Sequence, residues 1–511
     1  MATGLALVAA FPRASQGWLG WAAWTPLLVF VAQARRRRGA FAGGWLAFAV
    51  EFFILLRWMP EVMGRYGGMA PLLAWAAHAL LAAVLACYPA SACLFVKHLM
   101  VRRGGAPWAL LVFPFAWVAV ELLQSVSPMG GLPWLLAGYT QTRFLTLIQC
   151  ADVAGVYGVS FIVVSVNTAL AWMWLRRGPR GFAAYAPPVA AGALLLAALA
   201  YGHAALQRWD GAGHAEPRYH AALLQGNISV EDSWEAMNEK FEAGYVRMAD
   251  RLDAPVDLLV LPESPAPKRF QSDGGYRRTM EALARRYPLG LVLSNINARE
   301  RGDGTEARYN SAFFLDGGGR LAGVYDKIHL VPFGEYIPYG WLSSFAETVS
   351  QDVGTFADGS DQRVFGFGGH PVNAVICFEA AFPRLVRGFV AQGSRLIVNL
   401  VNDGWYGVSD APYQHLEIAR VRAVENRRYL LRAANSGVSA VIGPTGRIQG
   451  ATGLMREAVC RGEFAFIAEE TPYARYGDVF PAICVIICAV VGMGGFVLEL
   501  SRRRRKRCLR N

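Results

Sequence analysis

Two patterns of apolar positions divide the chain. Over the first two hundred residues apolar side chains run on with few breaks, near 2–14, 17–33, 39–57, 70–96, 106–123, 156–175 and 183–202. Most of these runs approach the roughly 20 residues that an α-helix needs to cross a bilayer. They predict an N-terminal transmembrane bundle of about seven helices over 1–202. From about residue 210 the pattern changes. Short β-branched runs at 219–225, 256–261, 289–295, 310–316, 321–325, 372–377, 395–399 and 436–442 read as strands. Longer amphipathic stretches at 231–252, 274–286, 382–392 and 412–430 read as helices. In the last of these Leu416, Ala419, Ala423, Val424 and Leu430 recur at roughly helical spacing, with Arg and Glu elsewhere. Asp316-Gly317-Gly318-Gly319 reads as a hairpin turn, since glycine adopts positive φ without steric cost. Strands interleaved with helices define a mixed α/β or α+β sandwich over 210–475. One more apolar run, 479–500, predicts a C-terminal span followed by a basic tail, 501–511.

Composition sharpens this division. The 511 residues are 54% hydrophobic and their mean hydropathy is +0.27, whereas soluble chains are typically about 45–50% apolar. The net charge of +12 first suggests nucleic acid. The arginines form no helical stripe and do not alternate with stacking aromatics, so that class is set aside. They lie between apolar runs instead. Arg35 to Arg38, then Lys97, Arg102 and Arg103, then Arg176, Arg177 and Arg180 occupy every second connection. Arg502-Arg503-Arg504-Arg505-Lys506-Arg507 follows the last run. Basic connections favour the cytoplasm. The connections near 58–69 and 124–155, and the whole of 203–478, are therefore expected outside. The first run is short and contains Pro12, but it lacks the basic start and cleavage site of a signal peptide. Glu51, His78 and Glu121 lie within apolar runs, where an ionisable group is either functional or paired inside the bundle. The apolar, aromatic stretch Gly130–Tyr139 suits a segment resting in the outer leaflet interface, or one packed against the globular domain.

The eight cysteines are scattered, without CxxC or paired spacing, and HExxH is absent. Neither a disulfide framework nor a metal site is expected, and no cofactor is called for. Three strand ends carry the candidate chemistry. The run ending at Ile376 stops at Cys377, the run ending at Leu261 stops at Pro262-Glu263, and Lys327 follows the run over 321–325. A thiol fixed by a sheet suits a nucleophile; a buried structural cysteine is the plainer reading. A free thiol has a pKa near 8.5, so it needs a base to reach the thiolate at neutral pH. A carboxylate can take that proton, and a lysine can stabilise the oxyanion that forms.

Carboxylate, lysine and cysteine in this order, each just past an apolar strand, resemble the nitrilase superfamily. The longer stretches YDKIHLVPFGEYIP (325–338) and NDGWYG (402–407) are similar to its membrane-embedded branch, which acylates bacterial lipoproteins. The resemblance covers roughly 215–475, and the multi-span N-terminus extends it to nearly the whole chain. It implies an α-β-β-α sandwich of two packed sheets, with Glu263 as base, Lys327 and the Phe378 N–H at the oxyanion, and Cys377 as nucleophile. Glu335, eight residues after the lysine, matches a supporting carboxylate, and Glu379 is a further carboxylate near the site. Phe378 stands where relatives often carry tyrosine, so no hydroxyl role is available there. Asn310 and Trp234 resemble site-shaping positions, and Trp405 and Tyr406 form a glycine-hinged aromatic loop suited to a lid at the bilayer.

The implied reaction moves an acyl chain from a membrane phospholipid, through a Cys377 thioester, to the α-amine of a diacylglyceryl-cysteine at an apolipoprotein N-terminus. The implied setting is the bacterial inner membrane, with a multi-pass monomer whose catalytic domain faces outward. Two other readings remain open. One is a membrane-tethered amidase or nitrilase using the same triad on a C–N bond, and the other is a non-enzymatic export factor.

Overall fold

The computed structural model describes residues 1–102, 107–176, 184–210, 218–337 apart from 265, 267, 301 and 303, and 356–508, with 107 and 495–508 as backbone only. Arg103, Arg177 and Arg180 of the basic connections lie outside the described residues. The chain forms two compact units. One comprises Met1–Arg57, Trp75–Ala204 and Tyr476–Asn511, the other Trp58–Ala74 and Ala205–Arg475.

Among the described residues, four helices are long and apolar enough to cross a membrane: Arg37–Leu55, Pro71–Arg102, Ala151–Leu175 and Ala186–Asp210. Trp108–Gln124 is apolar but shorter, and the last helix, Val479–Cys508, is apolar over Val479–Gly494. The two earliest runs depart from the expected spans. The first forms only Ala2–Ala10 and the second a 3-10 turn, Gly17–Trp21, followed by Thr25–Gln33, so each α-helix has 9 residues. At 1.5 Å per residue such a helix reaches about half the bilayer core of about 30 Å.

Polar side chains inside this unit meet the two ends of the second short helix, Thr25–Gln33. Asn167 Oδ1 accepts from the amides of Trp24 (2.9 Å) and Thr25 (3.1 Å), and Lys97 Nζ donates to Ala32 O (2.9 Å). They meet donors and acceptors that lipid cannot satisfy. The stretch Gly130–Tyr139 is likewise corrected, since most of it is buried within the unit rather than resting at a leaflet surface. Glu121 Oε1 accepts from Ala137 N (2.7 Å) and Trp117 Nε1 (2.8 Å), and Ser160 Oγ accepts from Gly138 N (2.8 Å). Glu51 and His78 are also buried here, and a ring nitrogen of His78 lies 2.9 Å from Phe53 O.

The described residues of the second unit contain twelve strands. They are β1 (Tyr219–Gln225), β2 (Leu258–Val260), β3 (Gly290–Glu300), β4 (Glu306–Leu315), β5 (Leu321–Asp326), β6 (Phe365–Phe367), β7 (His370–Ile376), β8 (Ile397–Val401), β9 (Leu430–Ala434), β10 (Ala440–Ile442), β11 (Ile448–Ala451) and β12 (Ala458–Phe464). They form two six-stranded sheets, in the orders β12-β1-β2-β3-β4-β5 and β11-β10-β9-β8-β7-β6. β1, β2 and β3 run parallel, as do β7, β8 and β9, with antiparallel strands outside them. Such central strands are covered on both faces, so they appear in sequence as unbroken apolar runs. Helices Trp234–Phe241, Arg247–Asp250 and Gly274–Ala284 cover the first sheet, with Phe241, Met248, Tyr276 and Met280 in one core with Leu224, Leu291 and Phe313. Helices Pro383–Ala391 and Ala411–Asn426 belong to the side of the second. The layers are the expected α-β-β-α sandwich.

Two predicted helices are corrected. The stretch 231–252 is interrupted by a π-turn, Glu242–Val246. The stretch 412–430 stops at Asn426, where Arg427 turns left-handed (φ 48°), and Leu430 opens β9 instead. The connection near 58–69 contains a helix, Met59–Arg65, that belongs to the sandwich unit.

Candidate active site

Parallel strands converge their C-terminal ends on one edge, which is where side chains from different strands meet. β7 ends at Ile376, and Cys377 follows with φ 51°, a left-handed conformation that a non-glycine residue holds at a cost of order 1–3 kcal/mol. Glu263 stands three residues past β2, and Lys327 directly follows β5. All three are buried, at 5%, 7% and 1% exposure.

The structure brings the three together. Lys327 Nζ lies 3.5 Å from Glu263 Oε1 and 2.9 Å from Glu335 Oε1. Cys377, Glu263 and Lys327 act on one another electrostatically within this buried cluster. Asn310, from β4, donates through Nδ2 to both Glu263 Oε1 (2.7 Å) and Glu335 Oε1 (3.1 Å). Its own Oδ1 accepts from Ser294 Oγ (3.2 Å), and its carbonyl accepts from Lys327 N (2.8 Å). Glu263 Oε2 accepts from Asn402 N at 2.9 Å. Glu335 Oε2 accepts from Val331 N at 2.8 Å, so its own loop holds it against the lysine.

These contacts set the proton positions. Burial, then the Glu263 charge, push the Cys377 thiol well above its ordinary range, and Lys327 only partly offsets this. Burial also raises Glu263, with Lys327 and Asn310 pulling the other way. Burial works against the Lys327 charge, but Glu335 and Glu263 outweigh it and hold the ammonium above the usual lysine range. Burial thus favours the protonated thiol, beside a carboxyl group and a fixed ammonium. Proton transfer from the thiol to Glu263 would leave a thiolate whose charge Lys327 favours.

Glu379, the further carboxylate near the site, holds its loops together. One oxygen accepts from Tyr325 OH (2.7 Å), Ile328 N (2.7 Å) and His329 N (3.1 Å), and the other from Ile376 N (2.7 Å). It ties the lysine loop to the cysteine strand. The Phe378 ring packs edge-on against Phe382, with 5.0 Å between centroids. Trp234 opens helix Trp234–Phe241 with its ring 62% exposed, and Trp405 is 43% exposed, so neither is buried in the cluster. Tyr406 lies 4.9 Å from the Trp58 ring and Trp405 4.9 Å from Tyr66. Tyr66 OH donates to Gly404 O (3.4 Å), and Arg65 pairs with Glu231. The aromatic loop is thereby held by the Trp58–Ala74 segment.

Sequence reasoning missed a buried chain behind the cysteine. Arg432 donates to Asp403 Oδ2 (2.7 Å), Asp403 Oδ1 lies 3.0 Å from His415 Nδ1, and His415 Nε2 lies 3.0 Å from the Cys377 carbonyl. Burial raises the Asp403 pKa, but Arg432 and His415 together hold it below its ordinary value. Cys377, Asp403 and His415 place potential metal-ligand atoms within 4.8 Å of one another. Both carboxylate oxygens and both ring nitrogens already face other partners, so these residues do not fit an open metal site.

The sandwich and its strand-end cluster define a protein of the carbon-nitrogen hydrolase class. Residues 220–466 match the family model described as carbon-nitrogen hydrolase, and residues 3–169 match that described as apolipoprotein N-acyltransferase N-terminal domain. A Geobacter metallireducens protein named apolipoprotein N-acyltransferase is 39% identical over 97% of this chain and 94% of its own. One of the same name from Methylococcus capsulatus is 34% identical over 90% of this chain and 87% of its own. The chain belongs to the apolipoprotein N-acyltransferase family. Among solved structures, Saccharomyces cerevisiae Nit3, a nitrilase-superfamily member, aligns with 48% of this chain and 90% of its own at 18% identity and a TM-score of 0.39.

Proposed function

We propose that the protein acylates lipoproteins, using Cys377 as nucleophile, Glu263 as proton carrier and Lys327 as oxyanion partner. The observation that carries this assignment is the buried convergence of Cys377, Glu263 and Lys327 at the strand ends, with Lys327 Nζ 3.5 Å from Glu263. Glu263 takes the thiol proton as sulfur attacks an ester carbonyl of a membrane phospholipid. Lys327 Nζ and the Phe378 N–H meet the oxyanion. Collapse breaks the ester C–O bond, the leaving glyceryl oxygen takes the proton from Glu263, and a thioester remains on Cys377. The α-amine of a diacylglyceryl-cysteine then attacks the thioester and gives up a proton to Glu263, which returns it to the departing thiolate. The products are an amide and free Cys377. Glu335 and Asn310 hold Lys327 and Glu263 through both steps.

Both substrates are anchored by long chains, at about 0.8 kcal/mol per buried CH₂, so a membrane-embedded enzyme meets them where they reside. The basic connections support an inner-membrane protein whose residues 203–478 face outward. The hydrolytic amidase reading has less support, because whole-length relatives that include the membrane region carry the acyltransferase name.

The test is intact mass after incubation with phospholipid. An added acyl mass on wild type, absent from Cys377→Ser under thioester-preserving conditions, is the expected result. Turnover of soluble amides without any phospholipid-derived adduct would reverse the assignment.

A further inference from the structure

The nucleophile's backbone occupies a left-handed conformation, and something must hold it there. β7 fixes the chain up to Ile376, and Glu379 anchors the Ile376 amide at 2.7 Å. The next carbonyl, that of Cys377 itself, faces His415 Nε2 at 3.0 Å. A carbonyl and an ionised carboxylate both only accept, so the two contacts together call for a hydrogen on each ring nitrogen, a form that burial opposes and Asp403 favours. On the far side of the ring, Asp403 Oδ1 lies 3.0 Å from Nδ1 and fixes the ring plane. Asp403 is itself held by Arg432 at 2.7 Å, and Arg432 donates on to Asn399 Oδ1 at 2.8 Å. Arg432 and Asn399 lie on β9 and β8, adjacent parallel strands beside β7. The chain therefore runs from the rigid sheet, through an imidazole, to the one carbonyl whose orientation sets the sulfur. All three side chains are at least 99% buried.

We infer that His415 is a positioning residue for the acyl transfer, holding the Cys377 carbonyl through Nε2 while Asp403 and Arg432 anchor the ring to the sheet. The inference rests on Cys377 being the acylated residue. Close to the site, Gly437 leaves room for this arrangement. A Cβ there would sit 2.4 Å from Asp403 Oδ2, which excludes any larger residue while the carboxylate stays in place.

Two amides separate the two ends of the ring. Glutamine places its nitrogen near Nε2 and can keep the bond to the carbonyl, whereas asparagine reaches only the Nδ1 position and can keep the bond to Asp403. The experiment measures the single-turnover rate of acyl-adduct formation on full-length His415→Gln and His415→Asn with phospholipid. His415→Asn is expected to lose about 100-fold in rate, the size of effect produced by misplacing a reacting group by about 1 Å. Its half-saturating phospholipid concentration should remain within about twofold, while His415→Gln should retain about a tenth of the wild-type rate or more. Equal losses in the two variants, or a wild-type rate in His415→Asn, would overturn the proposal. If His415→Asn does not accumulate folded, His415→Gln decides alone, and a folded His415→Gln below a hundredth of the wild-type rate overturns it. A His415→Gln that does not fold overturns it equally. An absent adduct on wild type would instead defeat the assignment of Cys377, before any His415 variant is compared.

Discussion

At the scale of single residues, four carboxylates near the lysine and cysteine, three buried and Glu335 partly so, serve different ends. Glu263 faces the lysine and interacts with the reactive thiol, Glu335 grips the lysine, Glu379 clamps two loops and Asp403 anchors a histidine. Their variants should separate accordingly. Glu263→Gln is expected to lower acylation by about 10²–10⁴-fold, the usual contribution of a general base. Glu263 must be ionised to accept the thiol proton, and burial raises its pKa. Acylation should therefore rise with pH through a limb above the ordinary glutamate value of about 4.3, and that limb should vanish in Glu263→Gln. Single-turnover rates across pH check this, and a limb that persists in the variant would refute the base assignment. Glu379→Gln should instead act on stability, because an amide presents N–H to donors that now find a carboxylate. We expect a loss of about 3 kcal/mol, seen as a lower unfolding temperature of the detergent-solubilised enzyme. Glu263, Lys327 and Cys377 were legible in the sequence because each ends an apolar run. His415 and Arg432 were not. A charge within a helix or a short strand looks like a solvent-facing residue until its buried partner is known.

At the scale of elements, the long central strands were readable and the short outer ones were not. β1, β3, β4, β5 and β7 each contain several apolar residues within 6 to 11 positions, whereas β6 and β11 offer 3 and 4 residues, too few to show a period. Helix Ala411–Asn426 misled in another way. It buries Arg422 and Glu425 as a 3.0 Å pair, so its charges mark an interior rather than a wet face. The segment Trp58–Ala74 was expected as a plain outer connection, yet it grips the loop over 403–406 through Trp58 and Tyr66. Each ring pair contributes about 0.5–1.5 kcal/mol beyond its buried area. Removing both rings, in Trp58→Ala with Tyr66→Ala, should loosen that loop without unfolding the sandwich. Hydrogen exchange reads this directly. Amides of 403–406 should exchange faster while those of β7 and β8 stay protected, and an unchanged loop would show that the segment does not restrain it.

At the scale of the whole molecule, two nine-residue helices replace what read as two spans, and the inference about sidedness has to survive that change. It does so through parity. If both early runs cross, or neither does, an even number of crossings precedes Arg35 to Arg38, and Met1 lies on the same side as those arginines. Every later connection keeps its side in either case. The long helices Arg37–Leu55 and Pro71–Arg102, the shorter Trp108–Gln124, and then Ala151–Leu175 and Ala186–Asp210 still alternate between basic and non-basic connections. The positive-inside rule then supports the proposed outward placement of residues 203–478. Alkaline phosphatase, which works only outside, should be active when fused after Ala205 and inactive after Arg38. A fluorescent protein that matures only inside should light up both at Met1 and after Asn511. A dark fusion at Met1 beside a bright one at Asn511 would mean that one early helix crosses without the other. An inactive phosphatase at Ala205 would put the thiol on the side where its lipid-anchored acceptor is not presented, and the proposed transfer could not operate.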